Sequence, residues 1–353
     1  MKQKDLKVKA GLKPNEIGYR MPAEWERHRA TWLAWPHDLE TWPEELGEVE
    51  DTYVEIIEQL HGGEEIHILV ENHQAQESVS KKLSSFGLTK NIFLHLVPTN
   101  SIWIRDYGPI FLTGKVGETV LTDWLFNAWG RKYDSFEKDN GVPAALAKLL
   151  QMKSYKTNFI LEGGSIDVNG SGACLATEEC LLNANRNKGL SRGEIEECLK
   201  DFLGVRHLIW LSGGVVGDDT DGHVDEVARF VNAQTVLVCT EENTQDQNFS
   251  ALQKNKARLS EAVEQDGHSL NVVSIPMPEK LEAKGMRFPA SYANFYIANR
   301  CVLVPIFGGR NDTKALGILK DLFPGRSVIG IPAVPLIYGQ GAMHCITQQE
   351  PAP

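Results

Sequence analysis

No apolar run in this sequence approaches the ~18 residues that a membrane-spanning helix requires. The opening Met1-Lys2-Gln3-Lys4-Asp5 leads into no apolar stretch, so no secretory leader is read there. Cysteine is scarce: six in 353 residues, and none of Cys174, Cys180, Cys198, Cys239, Cys301 and Cys345 forms a C-x-x-C pair. A zinc ribbon, a thioredoxin-like motif and a disulfide scaffold are therefore unsupported. Positive charge is also in deficit, with 36 Lys and Arg against 47 Asp and Glu and a net charge of -11. Such a chain is a poor partner for nucleic acid or an anionic membrane surface. The sequence has no G-x-G-x-x-G, G-x-x-x-x-G-K-[ST] or G-x-S-x-G. Dinucleotide oxidoreductases, P-loop NTPases and α/β-hydrolases lose their usual signatures. With no low-complexity linker to divide it, the chain is expected to form one domain over residues 1–353. The expected setting is cytoplasmic and reducing, with free thiols.

Apolar residues make up 42% and charged residues 24%, which excludes a disordered chain, a collagen and a coiled coil. Half of the eight tryptophans fall early, at Trp25, Trp32, Trp35 and Trp42, and are expected to pack as an N-terminal layer. Amphipathic helical patterns occur near 73–86, 141–151, 192–203, 245–265 and 312–323. Each precedes a β-branched or aromatic run: 91–97, 153–159, 206–211, 271–276 and 326–331. These runs start 62, 53, 65 and 55 residues apart. Further short strands are expected at 119–125, 235–239 and 301–305. Either five mixed α/β units repeat at a period of about 60 residues, or an ordinary α/β fold happens to space its elements evenly.

The segments downstream of the five runs favour the repeat. They contain Trp103-Ile104-Arg105-Asp106, then Leu161-Glu162-Gly163-Gly164, then Gly222-His223-Val224-Asp225, then Phe288-Pro289-Ala290-Ser291-Tyr292, then Gly341-Ala342-Met343-His344-Cys345. Four of the five carry a chemically capable side chain. Units arranged around an axis would bring Asp106, Glu162, His223, Asp225 and Cys345 together at one end.

Each residue also has a plainer reading. Cys345 could be a buried structural cysteine, as the other five are expected to be. Its Gly-rich surroundings set it apart, and a cationic substrate over the sulfur could supply the field that a thiolate needs. His344 is an unfit base for Cys345, because neighbours in an extended segment point opposite ways. His223 and Asp225, read as i and i+2 on a strand, share a face. Glu162 could orient His223, or simply end a loop in solvent. Asp106 and Arg105 could be a surface pair. Trp103 joins Asp106 and Asp225 as a candidate substrate-binding residue, although a tryptophan is more often core. A His, Asp, Glu and Cys set could hold zinc, but no H-E-x-x-H and no second histidine at helical spacing accompany it, so no metal is assigned. Two carboxylates suit a planar guanidinium, a thiol can attack its carbon, and a protonated histidine can serve the departing amine. The set fits guanidine hydrolysis better than acyl transfer.

At these residues the sequence resembles the agmatine deiminase family, grouped with the Porphyromonas-type peptidylarginine deiminases. The matching stretches include Met21-Pro22-Ala23-Glu24-Trp25, Trp103-Ile104-Arg105-Asp106, Leu161-Glu162-Gly163-Gly164-Ser165, Thr177 to Asn183, Gly222-His223-Val224-Asp225, Ala290 to Asn299 and His344 to Gln349. They keep their order from about residue 19 onward. The resemblance implies a pentein-like, five-fold pseudosymmetric α/β propeller around a central active site. It implies a deiminase without cofactor or metal, acting on a small cationic guanidino substrate, and it suggests a homodimer. Cys345 would match the nucleophile that forms an amidino-cysteine, His223 the general acid and then base, and Glu162 the carboxylate behind it. Asp106 and Asp225 would match the guanidinium-binding pair. Gln340-Gly341-Ala342-Met343 departs from the Gly-Gly-Asn common before the Ile-His-Cys of agmatine deiminases. Agmatine is the expected substrate. Free arginine, peptidylarginine, an amidinotransferase needing a second substrate, a metal-dependent hydrolase and a non-catalytic guanidine binder remain open.

Overall fold

The computed structural model describes residues 11–283 and 285–353. Its first sheet begins with His28–Ala34 (β1), which crosses through the helix Leu46–Leu60 (α1) to the parallel strand Glu65–Val70 (β2). A second crossover, His73–Ser85 (α2), adds Ile92–Leu96 (β3) at the edge.

The next units share one plan. Ile110–Thr113 (β4) runs antiparallel to Thr119–Leu125 (β5), and Val142–Leu149 (α3) leads to the parallel Ser154–Ile160 (β6). Ile166–Val168 (β7), Ala173–Thr177 (β8), Arg192–Leu203 (α4) and His207–Leu211 (β9) repeat it. So do Ala228–Asn232 (β10), Thr235–Thr240 (β11), Phe249–Glu261 (α5) and Asn271–Pro276 (β12). A short hairpin of Glu282–Ala283 (β13) and Met286–Arg287 (β14) intervenes. Tyr296–Ile297 (β15), Cys301–Ile306 (β16), Asp312–Leu322 (α6) and Ser327–Pro332 (β17) form another copy. Gln348–Pro351 (β18) then pairs antiparallel with β1.

The architecture is the expected five-unit α/β propeller, and the two ends of the chain close it. In the closing unit, β18, β1, α1 and β2 hold the places that strand, strand, helix and strand hold elsewhere. The pair α2 and β3, which the spacing counted as the first repeat, is an added fourth strand. The sequence reading missed α1 because Thr52-Tyr53-Val54 and Ile56-Ile57 put β-branched and aromatic residues in its middle. Those residues nonetheless lie on a buried stripe with Val49 and Leu60, and that burial outweighs propensity.

Local signals fix the crossovers. A reciprocal capping box joins Ser191 and Glu194 at the start of α4, and Gly204 ends the helix in a left-handed conformation. The tryptophan-rich start is core as expected, with Trp32, Trp35 and Trp42 buried. All six cysteines are free. Among the described residues, no helix is long and apolar enough to cross a membrane.

Candidate active site

All five segments that come after the outgoing strands of the units reach one cleft. The segment after β3 brings Trp103 and Asp106, and that after β6 brings Glu162 and Gly164. The segment after β9 brings His223, Asp225 and Glu226, and that after β17 brings Cys345. The fourth segment, which offered no obvious reactive residue in sequence, supplies Asn294. Its Nδ2 lies 3.1 Å from Cys345 Sγ and its Oδ1 accepts from the Cys345 backbone N–H.

Convergence is tight around Gly164. A Cβ placed there would come within 2.7 Å of His223 Nδ1, 2.8 Å of Asp106 Oδ1 and 2.9 Å of Asp225 Oδ2. Only glycine leaves that space open. Gly164 N–H also donates to Asp106 Oδ1 at 3.0 Å, and Trp129 Nε1 donates to Asp106 Oδ2 at 2.9 Å. His223 Nδ1 stands 3.6 Å from Asp106 Oδ1, and Nε2 stands 4.0 Å from Glu162 Oε2. The other Glu162 oxygen accepts from Arg186 Nε at 2.7 Å. Glu162, Asp106 and Arg105 are buried, so neither solvent nor a surface pair describes them. His223 and Asp225 converge, but not on a strand as expected. His223 precedes a 3-10 turn, Val224–Glu226, whose Val224 is fully buried and aims its neighbours into the cleft.

The protonation pattern follows from burial and neighbouring charge. Burial, then Asp225 and Glu162, raise the Asp106 carboxyl to about 6 against the pull of His223 and Trp129. Burial disfavours His223 as a cation, but Asp106, Cys180 and Asp225 override it and raise the imidazole well above its usual value. Burial and the negative charges of Asp225, Glu226 and Asp106 push the Cys345 thiol well up. The thiol is therefore protonated at neutral pH until a positive charge arrives.

Behind Cys345 lies a second set of residues that local sequence did not reveal. His344 Nδ1 meets Asp225 Oδ2 at 2.7 Å and Nε2 meets Glu24 Oε2 at 2.8 Å, which rules it out as the base for Cys345, as expected. Glu24 also pairs with Arg229 Nη2 at 2.9 Å and accepts from the Ile297 N–H at 2.7 Å. Arg229 bonds Asp167 at 2.8 Å, and Arg105 donates to the His344 carbonyl and to Gln349 Oε1. These partners lie far apart in the chain, so no spacing announces them. The pairing of Glu24 with Arg229 and His344 holds its carboxyl well below the usual range despite burial.

Trp103, Asp106, Trp129, Tyr133, Asp219, Gln340 and Cys345 line the inner cleft. Trp103 thus faces the site, packed closely over Gly341. Outside it, a cavity of about 560 Å³ is walled by Asp38, Glu40, Trp42, Trp129, Asp134 and Asp139 among others, with no Lys, Arg or His among the described residues. Donor atoms of Glu162, Cys180 and His223, and separately of Asp225, Glu226 and Cys345, gather within 4.8 Å of one another. Glu162 is also engaged by Arg186, Asp225 by His344, and Glu226 and Cys345 by Asn294, and we assign neither group to a metal.

The sequence profile described as Porphyromonas-type peptidyl-arginine deiminase matches residues 20–351. A Legionella pneumophila protein provisionally named agmatine deiminase is 36% identical over 340 residues, covering 96% of each chain. The structure of Enterococcus faecalis agmatine deiminase superposes with a TM-score of 0.90 at 32% identity, covering 98% of this chain and 99% of that one. A cysteine-to-serine variant of a C. jejuni agmatine deiminase, solved with substrate bound, gives a TM-score of 0.85 at 32% identity over 94% and 96%.

Proposed function

This chain belongs to the Porphyromonas-type peptidyl-arginine deiminase family of guanidino C–N hydrolases, and from that premise we propose that it converts agmatine to N-carbamoylputrescine and ammonia through an amidino-cysteine on Cys345. The observation that carries the substrate is the charge of the walls. Carboxylates line both the inner cleft and the outer cavity, and among the described residues no cationic side chain does. A dicationic guanidine is favoured along the whole path. The α-carboxylate of free arginine would meet repulsion from these walls. Asp219, hydrogen-bonded to Tyr133, and Asp134 are the acidic groups that would receive the far amine.

In this reading Asp106 and Asp225 hold the guanidinium, whose charge stabilises the Cys345 thiolate below its carbon. Sγ attacks that carbon and a tetrahedral adduct forms. His223, protonated, gives its proton to the departing nitrogen, and ammonia leaves. The neutral imidazole then takes a proton from water as the water attacks the amidino carbon. The adduct collapses to the carbonyl, expelling the thiolate and passing its hydroxyl proton to solvent, where it meets the released ammonia, and the ureido product is released. Asp106 and Asp225 keep His223 cationic for the first half of the cycle, and Glu162 stands behind its Nε2.

Ammonia release from agmatine, free arginine and a blocked arginyl peptide, without added metal, tests the reading. Agmatine should exceed both others by about 100-fold or more in kcat/KM. Preference for arginine or for the peptide would move the substrate, and no release from any would remove the activity.

A further inference from the structure

Neither the sequence motifs nor the proposed cycle gives Glu226 a task, yet it sits against the reacting atom. Its Oε1 is 3.8 Å from Cys345 Sγ and accepts from Asn294 Nδ2 at 2.9 Å. The same amide nitrogen reaches Sγ at 3.1 Å, so one residue braces the carboxyl and the thiol together. Glu226 is 3% exposed, and its Oε2 has no hydrogen-bond partner. Leaving a buried carboxyl oxygen unpaired costs stability, which an apolar side chain of similar size would avoid.

The proposed cycle needs a group of this kind, and the inference rests on that cycle. Cys345 begins as a thiol and must attack as a thiolate, so its proton needs an acceptor. His223 is already protonated. His344 is engaged at both ring nitrogens. Asp225 is also 3.8 Å from Sγ, but it is bound by His344 and its charge is committed to the guanidinium. Glu226 remains.

We propose that Glu226 is the proton acceptor for Cys345. As the guanidinium docks, the S–H bond breaks and an O–H bond forms on the Glu226 carboxylate. The electron pair stays on sulfur, which attacks the guanidinium carbon. When the thiolate departs at the end of the cycle, Glu226 returns the proton to it, so the pair gains and loses none overall. Burial, followed by the charges of Asp225 and Asp218, raises the proton affinity of Glu226 well above that of an ordinary carboxyl. That brings it closer to the affinity of a thiol and makes it a better base for one. The titratable groups facing it are Asp218, Asp225 and His223 on its own segment, Cys345 opposite, and Cys239 from β11, whose thiol points at the Glu226 carbonyl.

Glu226→Gln isolates the proton function, because a glutamine oxygen can still accept from Asn294. The variant should lose about 100-fold or more in kcat/KM for ammonia release from agmatine, while the pH profile of Cys345 alkylation by iodoacetamide moves to lower pH because a charge that holds the thiol up is gone. Agmatine binding in a Cys345→Ala background should change less than about threefold on adding Glu226→Gln, showing an intact guanidinium cradle. Wild-type-like turnover together with an unchanged pH profile of Cys345 alkylation would overturn the proposal. If the variant fails to fold, the wild type decides alone. Binding of the bare guanidinium ion in unbuffered solution should raise the ultraviolet absorbance of the thiolate without releasing a proton. One proton released per thiolate formed would refute Glu226 as acceptor. Absence of ammonia release by the wild type would refute the deiminase reading instead, leaving alkylation and proton release to judge Glu226 separately.

Discussion

The two sides of Cys345 are built on opposite principles. On the rear, Glu24, Asp167, Arg105, Arg229 and His344 form a buried network in which each carboxylate meets a cation. On the front, Glu162 Oε2, His223 Nε2, Asp225 Oδ1 and Glu226 Oε2 are buried without a hydrogen-bond partner. Such atoms are rare in folded proteins because each costs about 1–3 kcal/mol. The open carboxylate valences at Asp225 and Glu226 lie beside Cys345, where a cationic substrate and a mobile proton are both to be received. The rear network fixes the positions of these groups, and the front keeps their valence open.

The sharpest way to break this contrast is to remove the nucleophile. Cys345→Ala should lower ammonia release from agmatine by about 10⁴-fold or more while changing unfolding stability by less than about 1 kcal/mol, read by turnover and by urea denaturation. Next in size is the guanidinium pair. Asp225→Asn should cost about 2–5 kcal/mol in kcat/KM, because a buried charge partner is lost to the substrate.

The rear should respond in the opposite sense. Arg229→Met leaves Glu24 and Asp167 without a shared cation and should destabilise the fold by about 3–5 kcal/mol in denaturant titration. A stable, inactive Arg229→Met protein would erase the distinction between the two sides.

Front-side groups should instead carry a stability cost that the mutation relieves. The Asp106 carboxyl is raised from its ordinary 3.8 to about 6, so the folded state binds its proton more tightly than the unfolded state. The resulting cost is absent below the ordinary value and complete above about 6. Asp106→Asn should therefore become about 2–3 kcal/mol more stable relative to wild type between pH 4 and pH 7, while activity falls. A stability difference that stays constant between those pH values would contradict it. The smallest effect belongs to the outer cavity. Asp134→Asn should raise KM for agmatine about two- to fivefold and weaken its dependence on ionic strength.

The sequence disclosed much of the frame, for identifiable reasons. Strands such as Asn271–Pro276 and Thr119–Leu125 appear where their β-branched runs placed them, and α4 begins and ends at its cap residues. Asp106, Glu162, His223, Asp225 and Cys345 were legible because a repeated unit delivers equivalent loops to one end. Four kinds of information stayed hidden. The equivalence of α1 and β2 to the other helix–strand pairs depends on β18 closing onto β1, a pairing between the chain's extremes. Asn294 and Glu226 look like ordinary polar residues until Cys345 stands beside them. Trp129 reaches Asp106 from a backbone with φ of 52°, a left-handed conformation that no propensity assigns to tryptophan. The rear network is built from side chains that only tertiary structure introduces.

One measurement reaches the centre of the account: acid-quenched wild-type enzyme during agmatine turnover, digested and weighed by mass spectrometry. The account predicts an amidino group on the peptide that contains Cys345, appearing within one turnover and vanishing as substrate is exhausted. Steady release of ammonia with no adduct on any cysteine, or with the adduct on Cys180 instead, would contradict it.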